Sequence, residues 1–430
     1  MSERRNLPSY VYLSPEVARR EAEETQNGTY KLLSFEVRWR ERYRFLKEKG
    51  YQLRPRYDPS WQPSWLGTNL DPEFCEDSVV LNNHGVIDAT RISDGSCVAI
   101  KAVKRKSQEI AISQFLSSLQ HPTNHCVPIY DALKDPSDPT NSFLVMQYLH
   151  PWNDPEFSVL GDVIDFVTQM LELCMLNASI SDVASLNIMM DGRALYPRGH
   201  HPVWRDRTPD AIEVITPLQR MDHPVKYFYV DFGLSVRFQP GSPTLVVGDV
   251  GRDAEVPELS STVPYDPFKA DIYALGNLFD KEFEQRYHSL QFLRPLIESM
   301  KQRQPELRLT ASELSQMFAS TRKTLNPSGF RWRLGPKSEP AYERLFNDGV
   351  AIAKESLSQL RRYHAKWKDA TRKFVPYGVY ETTYASGNTC DAEFWQHLFS
   401  NIQLLQHLVE NRKRHEPGLK PLVDDLLKMF

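Results

Sequence analysis

Three short stretches carry the residues with the clearest chemistry. ISDVASLN at 180–187 holds Asp182, with Asn187 five positions on; VKYFYVDFGLS at 225–235 holds Asp231; VAIK at 98–101 ends in Lys101. The carboxylates and the carboxamide offer oxygen acceptors, and the lysine supplies a positive charge. A fourth candidate is the adjacent pair His200 and His201. With no nearby cysteine and no third ligand at a suitable spacing they make a poor metal motif, and they read as part of an exposed surface insertion. The five cysteines are scattered, with no C-x-x-C. Disulfides and a zinc site are therefore not expected, which fits a cytoplasmic or nuclear location.

Composition sets wider bounds. At 430 residues, with 41% apolar and 25% charged, the chain reads as an ordinary soluble globular protein of two or three domains. A net charge of −3 gives no global attraction to nucleic acid or anionic membrane. The N-terminal MSERRNLPSYVYL has no apolar signal core, and no run approaches the roughly 18 apolar residues of a membrane span.

The elements that must position these residues follow from periodicity. Residues 1–74 read as an extension. Ser14-Pro15 opens a helix, and a second from Ser34 has the aromatic stripe Phe35, Trp39, Tyr43 and Leu46, stopped by Gly50. Arg38, Arg40, Arg42 and Arg44, interrupted by Glu36, Glu41 and Glu48, read as its solvated face. In YQLRPRYDPSWQPSW the prolines exclude helix, and Trp61 and Trp65 anchor an extended strap. VVLNN, VIDATRI and CVAIKAV are strand-like, the last two joined by the turn Ser93-Asp94-Gly95. A helix at about 107–119 and the strands CVPIYDAL and SFLVMQYL come next. Past Pro151 the pattern is helical, and residues 340–367 and 391–414 continue it as a C-terminal helical appendage. A β-rich portion followed by a helical one is an α+β order.

Taken in order, these motifs resemble the eukaryotic protein kinase fold over roughly residues 75–324. VAIK sits on the third strand, Asp231-Phe232-Gly233 follows an apolar run, and Val256-Pro257-Glu258 resembles A-P-E. DIYALG at 271–276 resembles the start of the central helix of the family's C-lobe. The chain is more closely similar to a family of protein kinase domain-containing proteins from basidiomycete fungi. It shares that family's W-x-x-R…L-R-P-R-Y…W-x-P-S-W lead-in, N-H-C-V-P-I at 124–129, S-L-N-I-M-M-D at 185–191 and Y-D-P-F-K-x-D-I-Y at 265–273.

The resemblance implies a bilobal fold: an N-terminal extension at 1–74, an N-lobe at 75–150, a C-lobe at 151–324 and a C-terminal helical extension at 325–430. It implies ATP and Mg2+ as cofactors, with Lys101 on the α- and β-phosphates, Asp182 as catalytic base, and Asn187 and Asp231 on the metal. Gly85, Glu109, Met146 and Tyr148 would complete the nucleotide site, and Arg308 would pair with Glu258. Glu109 is open between partner of Lys101 and solvated first-turn residue, because it lies only eight positions on and Ile112 competes for the aligned place.

Several departures weigh against full activity. LNNHGVIDATRI has Gly85 alone where the family has G-x-G-x-x-G. Ile180 and Ser181 replace the His and Arg of H-R-D, and Ala184 stands where Ser/Thr kinases carry a lysine. Without that arginine, a phosphate on Ser242 or Thr244 would lack its usual charge partner. The approach QMLELCMLNASISD is shorter than in the fungal relatives. Asn187 and Asp231 lie 44 positions apart, and the insertion at about 193–222, with Trp204, Arg205 and Arg207, is a candidate partner surface. Two readings follow: a Mg-ATP-binding kinase with weak or conditional phosphoryl transfer to protein Ser/Thr, or a pseudokinase that scaffolds. The basic, aromatic RRYHAKWKDATRK at 361–373 could serve an acidic partner or be an ordinary solvated face.

Overall fold

A computed structural model describes residues 7–173, 187–238, 243–249 and 253–355. Asp182, with Ile180, Ser181 and Ala184, lies outside the described residues, as do Ser242, the segment 361–373 and the helical pattern at 391–414. The protein is mixed α+β, and its larger sheet is antiparallel.

Helix α1 (Pro15–Asn27) begins as its sequence dictates, with Ser14 accepting the Val17 amide and Pro15 in the first turn, and Gly28 ends it at φ 100°. Helix α2 (Ser34–Glu48) turns Trp39, Tyr43 and Leu46 inward. Strands β1 (Tyr51–Gln52), β2 (Val86–Arg91), β3 (Cys97–Lys104), β4 (Ile129–Lys134) and β5 (Asn141–Gln147) form one sheet in the order β1-β2-β3-β5-β4. The aromatic stripe of α2 and the strap residues Leu53 and Tyr57 share one apolar core with Ile87, Val98, Ile100 and Val145 of the sheet. The N-terminal segment thus covers a face of the sheet that would otherwise be bare.

The expected strand VVLNN is absent. Tyr51 and Gln52 pair with Arg91 and Thr90 and occupy the place beside β2. Val79 and Leu81 are held by side chains instead: Arg54 donates to the Val79 carbonyl at 2.9 Å, and the Leu81 amide donates to Glu36 at 3.4 Å. β-Branched residues favour a strand only where a partner edge is free.

Helix α3 (Glu109–Ser118) follows β3. Strand β6 (His150–Pro151) comes before helix α4 (Leu160–Leu173), and with β7 (Ile188–Met190) and β8 (Tyr227–Tyr229) it makes a three-stranded sheet in the order β6-β7-β8. Strands β9 (Val246–Gly248) and β10 (Ser260–Tyr265) pair with each other, and α5 (Pro267–Phe279), α6 (Arg294–Met300) and α7 (Ala311–Thr324) follow. The chain divides into two compact units. Among the described residues, one holds those within 7–156, 166–278 and 298–317, and the other those within 157–165, 279–297 and 318–355. The second unit is fastened by an antiparallel bridge of Val159 with Arg333, by Arg333 pairing with Glu339 and Asp348, and by an edge contact of Phe157 with Phe283. Its last described element is helix α8 over 341–355.

The charged face expected on α2 is only partly solvated. Arg40 and Arg44 are exposed, but Arg42 is buried against Asp135 at 3.2 Å, and Arg38 donates to the His84 carbonyl at 2.8 Å. Glu36 is 0% exposed. It accepts two hydrogen bonds from Arg56, at 3.0 and 3.2 Å, one from the Tyr57 hydroxyl at 3.1 Å and one from the Leu33 amide at 2.9 Å. Burial alone would raise its pKa; the donors outweigh it and hold the carboxyl below its ordinary value. Its contribution is therefore present above the usual carboxylate range and lost as pH falls through the lowered value. Arg56→Ala, which strands this carboxylate, should cost about 3–5 kcal/mol. Chemical denaturation checks it: an unchanged midpoint would contradict the assignment.

Candidate functional site

Successive side chains of a strand point to opposite faces. On β3, Val98 and Ile100 enter the apolar core, while Ala99 and Lys101 line a cavity of about 460 Å3 on the other face. On β2, Asp88 stands opposite Ala99 and Val86 opposite Lys101, and both also line it. The size is that of a small-molecule site. Met146, Met189, Val230 and Leu81 add an apolar lining.

Lys101 is the centre of the polar end. Its ammonium lies 2.5 Å from Glu109 of α3 and 2.7 Å from Asp231. Of the two readings of Glu109, the geometry is that of the partner: it is buried, in the first turn of α3, while Ile112 packs inward one turn on. The short spacing from Lys101 suffices because only four residues separate the end of β3 from the start of α3.

Asp231 is aimed by its backbone and by the strand before it. It sits at φ 64°, a left-handed conformation that few non-glycine residues adopt and aspartate tolerates better than most. Phe232 is buried beside it. A Cβ at Gly233 would stand 3.2 Å from Asp231 Oδ1 and 3.4 Å from Glu109 Oε2, so the position suits glycine. Strand β8 is clamped on two sides: Ile188 of β7 pairs with Tyr229, and the Tyr229 amide donates to the His125 carbonyl at 2.7 Å. The His125 ring bonds the Tyr227 carbonyl at 2.8 Å and Glu172 at 3.1 Å. Asn187 is buried, lines the cavity, and receives the Val230 amide on its carbonyl at 2.9 Å.

Of the residues singled out in the sequence, Lys101, Met146, Tyr148, Asn187 and Asp231 line one cavity. Glu109 stands behind Lys101. Gly85 lies beside the lining residues Asn83 and Val86; its amide donates to Asn83 Oδ1 at 2.8 Å. The loop it occupies is held from outside. Phe35 stacks on His84 at 4.0 Å, and Arg38 bonds the His84 carbonyl. Glu258 and Arg308 form an ion pair, and Arg308 also donates to the Lys269 carbonyl at 2.7 Å and lies over the Tyr273 ring. Among the described residues no group of three or more His, Cys, Asp or Glu could hold a metal.

Two lining groups escaped sequence reasoning. Asp88 pairs with Arg54 of the strap at 3.2 Å; its only signal was the alternation of β2. The other is the insertion, where the expectation of an exposed surface is corrected. His201 is 0% exposed, and its Nδ1 accepts the Val203 and Trp204 amides at 3.2 and 3.0 Å. The ring closes its own turn through Nδ1 and sets Nε2 3.5 Å from Glu76, so polarity did not predict exposure. Pro202, Val203 and Arg205 line the cavity, and the Tyr148 hydroxyl donates to the Pro202 carbonyl at 2.8 Å.

The insertion also buries His150, whose ring stacks on Tyr196 at 5.1 Å and meets His200 edge-on at 4.8 Å. Burial, then the neighbouring His200, lowers its pKa below the ordinary 6.5. The folded state thus holds it neutral while the unfolded chain takes up a proton, so stability falls as pH drops below about 6.5. His150→Phe should flatten that part of the stability–pH curve; parallel curves for the two proteins would contradict it.

No described helix is long and apolar enough to cross a membrane. A scan of protein-family models finds none that matches the chain, and a search of curated proteins finds no similar sequence.

Proposed function

We propose that the chain is a protein-kinase-like, Mg-ATP-binding protein with a bilobal fold, whose transfer of phosphate to protein Ser/Thr is weak or conditional. One observation carries this reading: Lys101 joins Glu109 and Asp231 at the polar end of a cavity whose other walls are largely apolar. An apolar cavity lining suits a nucleotide base, and a lysine held between carboxylates suits its phosphates. The ion pair of Glu258 with Arg308 and the order of strands, α3 and helices support the same reading.

The residues present fit a magnesium ion in kind. Asp231 and Asn187 offer hard oxygen donors and line the same cavity, and the three charges of Lys101, Glu109 and Asp231 leave one negative charge over. When bound, the cation neutralises phosphate charge during transfer. In this reading Lys101 orients the phosphates, Glu109 holds Lys101 in place, and Asp182 accepts the proton of the acceptor hydroxyl.

A second reading, a pseudokinase that acts as a scaffold or protein-interaction module, is favoured by the loop at 82–85. It has one glycine, and Phe35 and Arg38 pin its tip from outside. Close amide contact with phosphates is then poorer than a glycine-rich loop allows.

Calorimetric titration of the whole chain with ATP tests both. Wild type should bind, Lys101→Ala should bind at least about tenfold more weakly, and Asp231→Asn should lose the dependence on magnesium. Slow phosphotransfer that Asp182→Asn abolishes selects the first reading; equal background in both proteins selects the second. No binding at millimolar ATP would sink the first reading and leave the scaffold.

A further inference from the structure

We infer that Arg205 is a specificity-determining residue of the cavity, one that hydrogen-bonds the sugar hydroxyls of a bound nucleotide; this rests on the nucleotide reading above. The segment that delivers it is built rather than draped. His201 closes the turn before it from inside, and Val203 packs on the apolar core of the five-stranded sheet. Beyond it, Arg207 reaches Glu73 at 3.4 Å and lies over the rings of Phe74 and Trp204. Arg205 therefore sits between two fastened points of the wall.

Its own contacts leave donors over. Nε lies 3.1 Å from an Asp154 oxygen, and among the described residues the two terminal nitrogens have no hydrogen-bond partner. A guanidinium stays protonated and presents its donors as a planar fork. Arg205 lines the cavity, with its side chain 36% exposed, so the fork is accessible to a ligand there.

The class of ligand group follows by elimination. The apolar lining suits the base, and Lys101 with Asp231 suits the phosphates and their cation. What joins base to phosphate is the sugar, with two vicinal hydroxyls that a two-pronged donor matches. Asp154 argues against an anion as the group recognised. Its carboxylate already offsets the charge of Arg205, and it would repel a second negative group while accepting a hydrogen bond from a hydroxyl.

The test is titration of the whole chain with ATP and with 2′,3′-dideoxy-ATP. Wild type should prefer ATP by about tenfold, the worth of a hydrogen bond to a charged donor. Arg205→Ala should lose most of that preference by weakening ATP alone. Arg205→Lys, which keeps the charge but not the fork, should resemble the alanine variant. Equal weakening of both nucleotides would mark a structural role for the wall and overturn the inference. So would a wild type that binds the two nucleotides alike, a result that needs no variant to fold. Binding of ATP that depends on Lys101 but not on Arg205 overturns this inference and leaves the nucleotide reading standing. Binding of neither nucleotide overturns both.

Discussion

The contact of Lys101 with Glu109 and Asp231 is the constraint around which the rest of the cavity is arranged. Holding one ammonium between two carboxylates requires three elements at fixed separation: β3, the first turn of α3, and the residue after β8. Each is set by something else. Strand β3 is central in its sheet, paired on both sides. Helix α3 packs inward through Ile112 and Leu116. Strand β8 is held between β7 and the His125 segment, so that Asp231 leaves it in a left-handed turn aimed at Lys101. Removing the support of any one would leave a partly buried charge without its partner, which costs more than the pair contributes when intact.

Much of this was legible in the sequence because it is local. The alternation of VIDATRI and CVAIKAV, the Asp-Gly turn between them, and the proline and serine that open α1 each act within a few residues. What was not legible depends on pairs far apart in the chain. Nothing in the pattern of α2 distinguishes Glu36 and Arg42, which are buried, from Glu41 and Arg44, which are not. The difference lies in Arg56 and Asp135, 20 and 93 positions away. VVLNN failed as a strand for the same kind of reason, since Tyr51 and Gln52 had taken the edge. The candidate site was read largely through single side chains, Lys101, Asn187 and Asp231, whose types carry their chemistry. Asp88 was missed, and Arg205 was read as part of a partner surface, because only the folded chain brings them to the same cavity.

Two segments that read as appendages turn out to shape the cavity. From the N-terminal side, Arg54 neutralises Asp88, and Glu36 holds the Leu81 amide. From the insertion, Pro202 and Val203 form wall, and Tyr148 is tied to Pro202. These contacts are of a kind that orders backbone: charged side chains bonded to main-chain groups, and aromatic rings stacked on a loop. They substitute for what regular secondary structure does elsewhere.

Fixing a binding loop in this way has a definite consequence. A flexible glycine-rich loop loses conformational entropy whenever it closes on a ligand. The loop at 82–85 has already lost much of it, because Phe35 and Arg38 hold His84 through contacts of their own. Such a loop gives up close adjustment around a changing group of atoms, and gains a wall that needs no ordering on binding. That balance favours retaining a ligand over adjusting rapidly around it. It also assigns discrimination to side chains that remain adjustable at the cavity wall, of which Arg205, held only through Nε, is the clearest case.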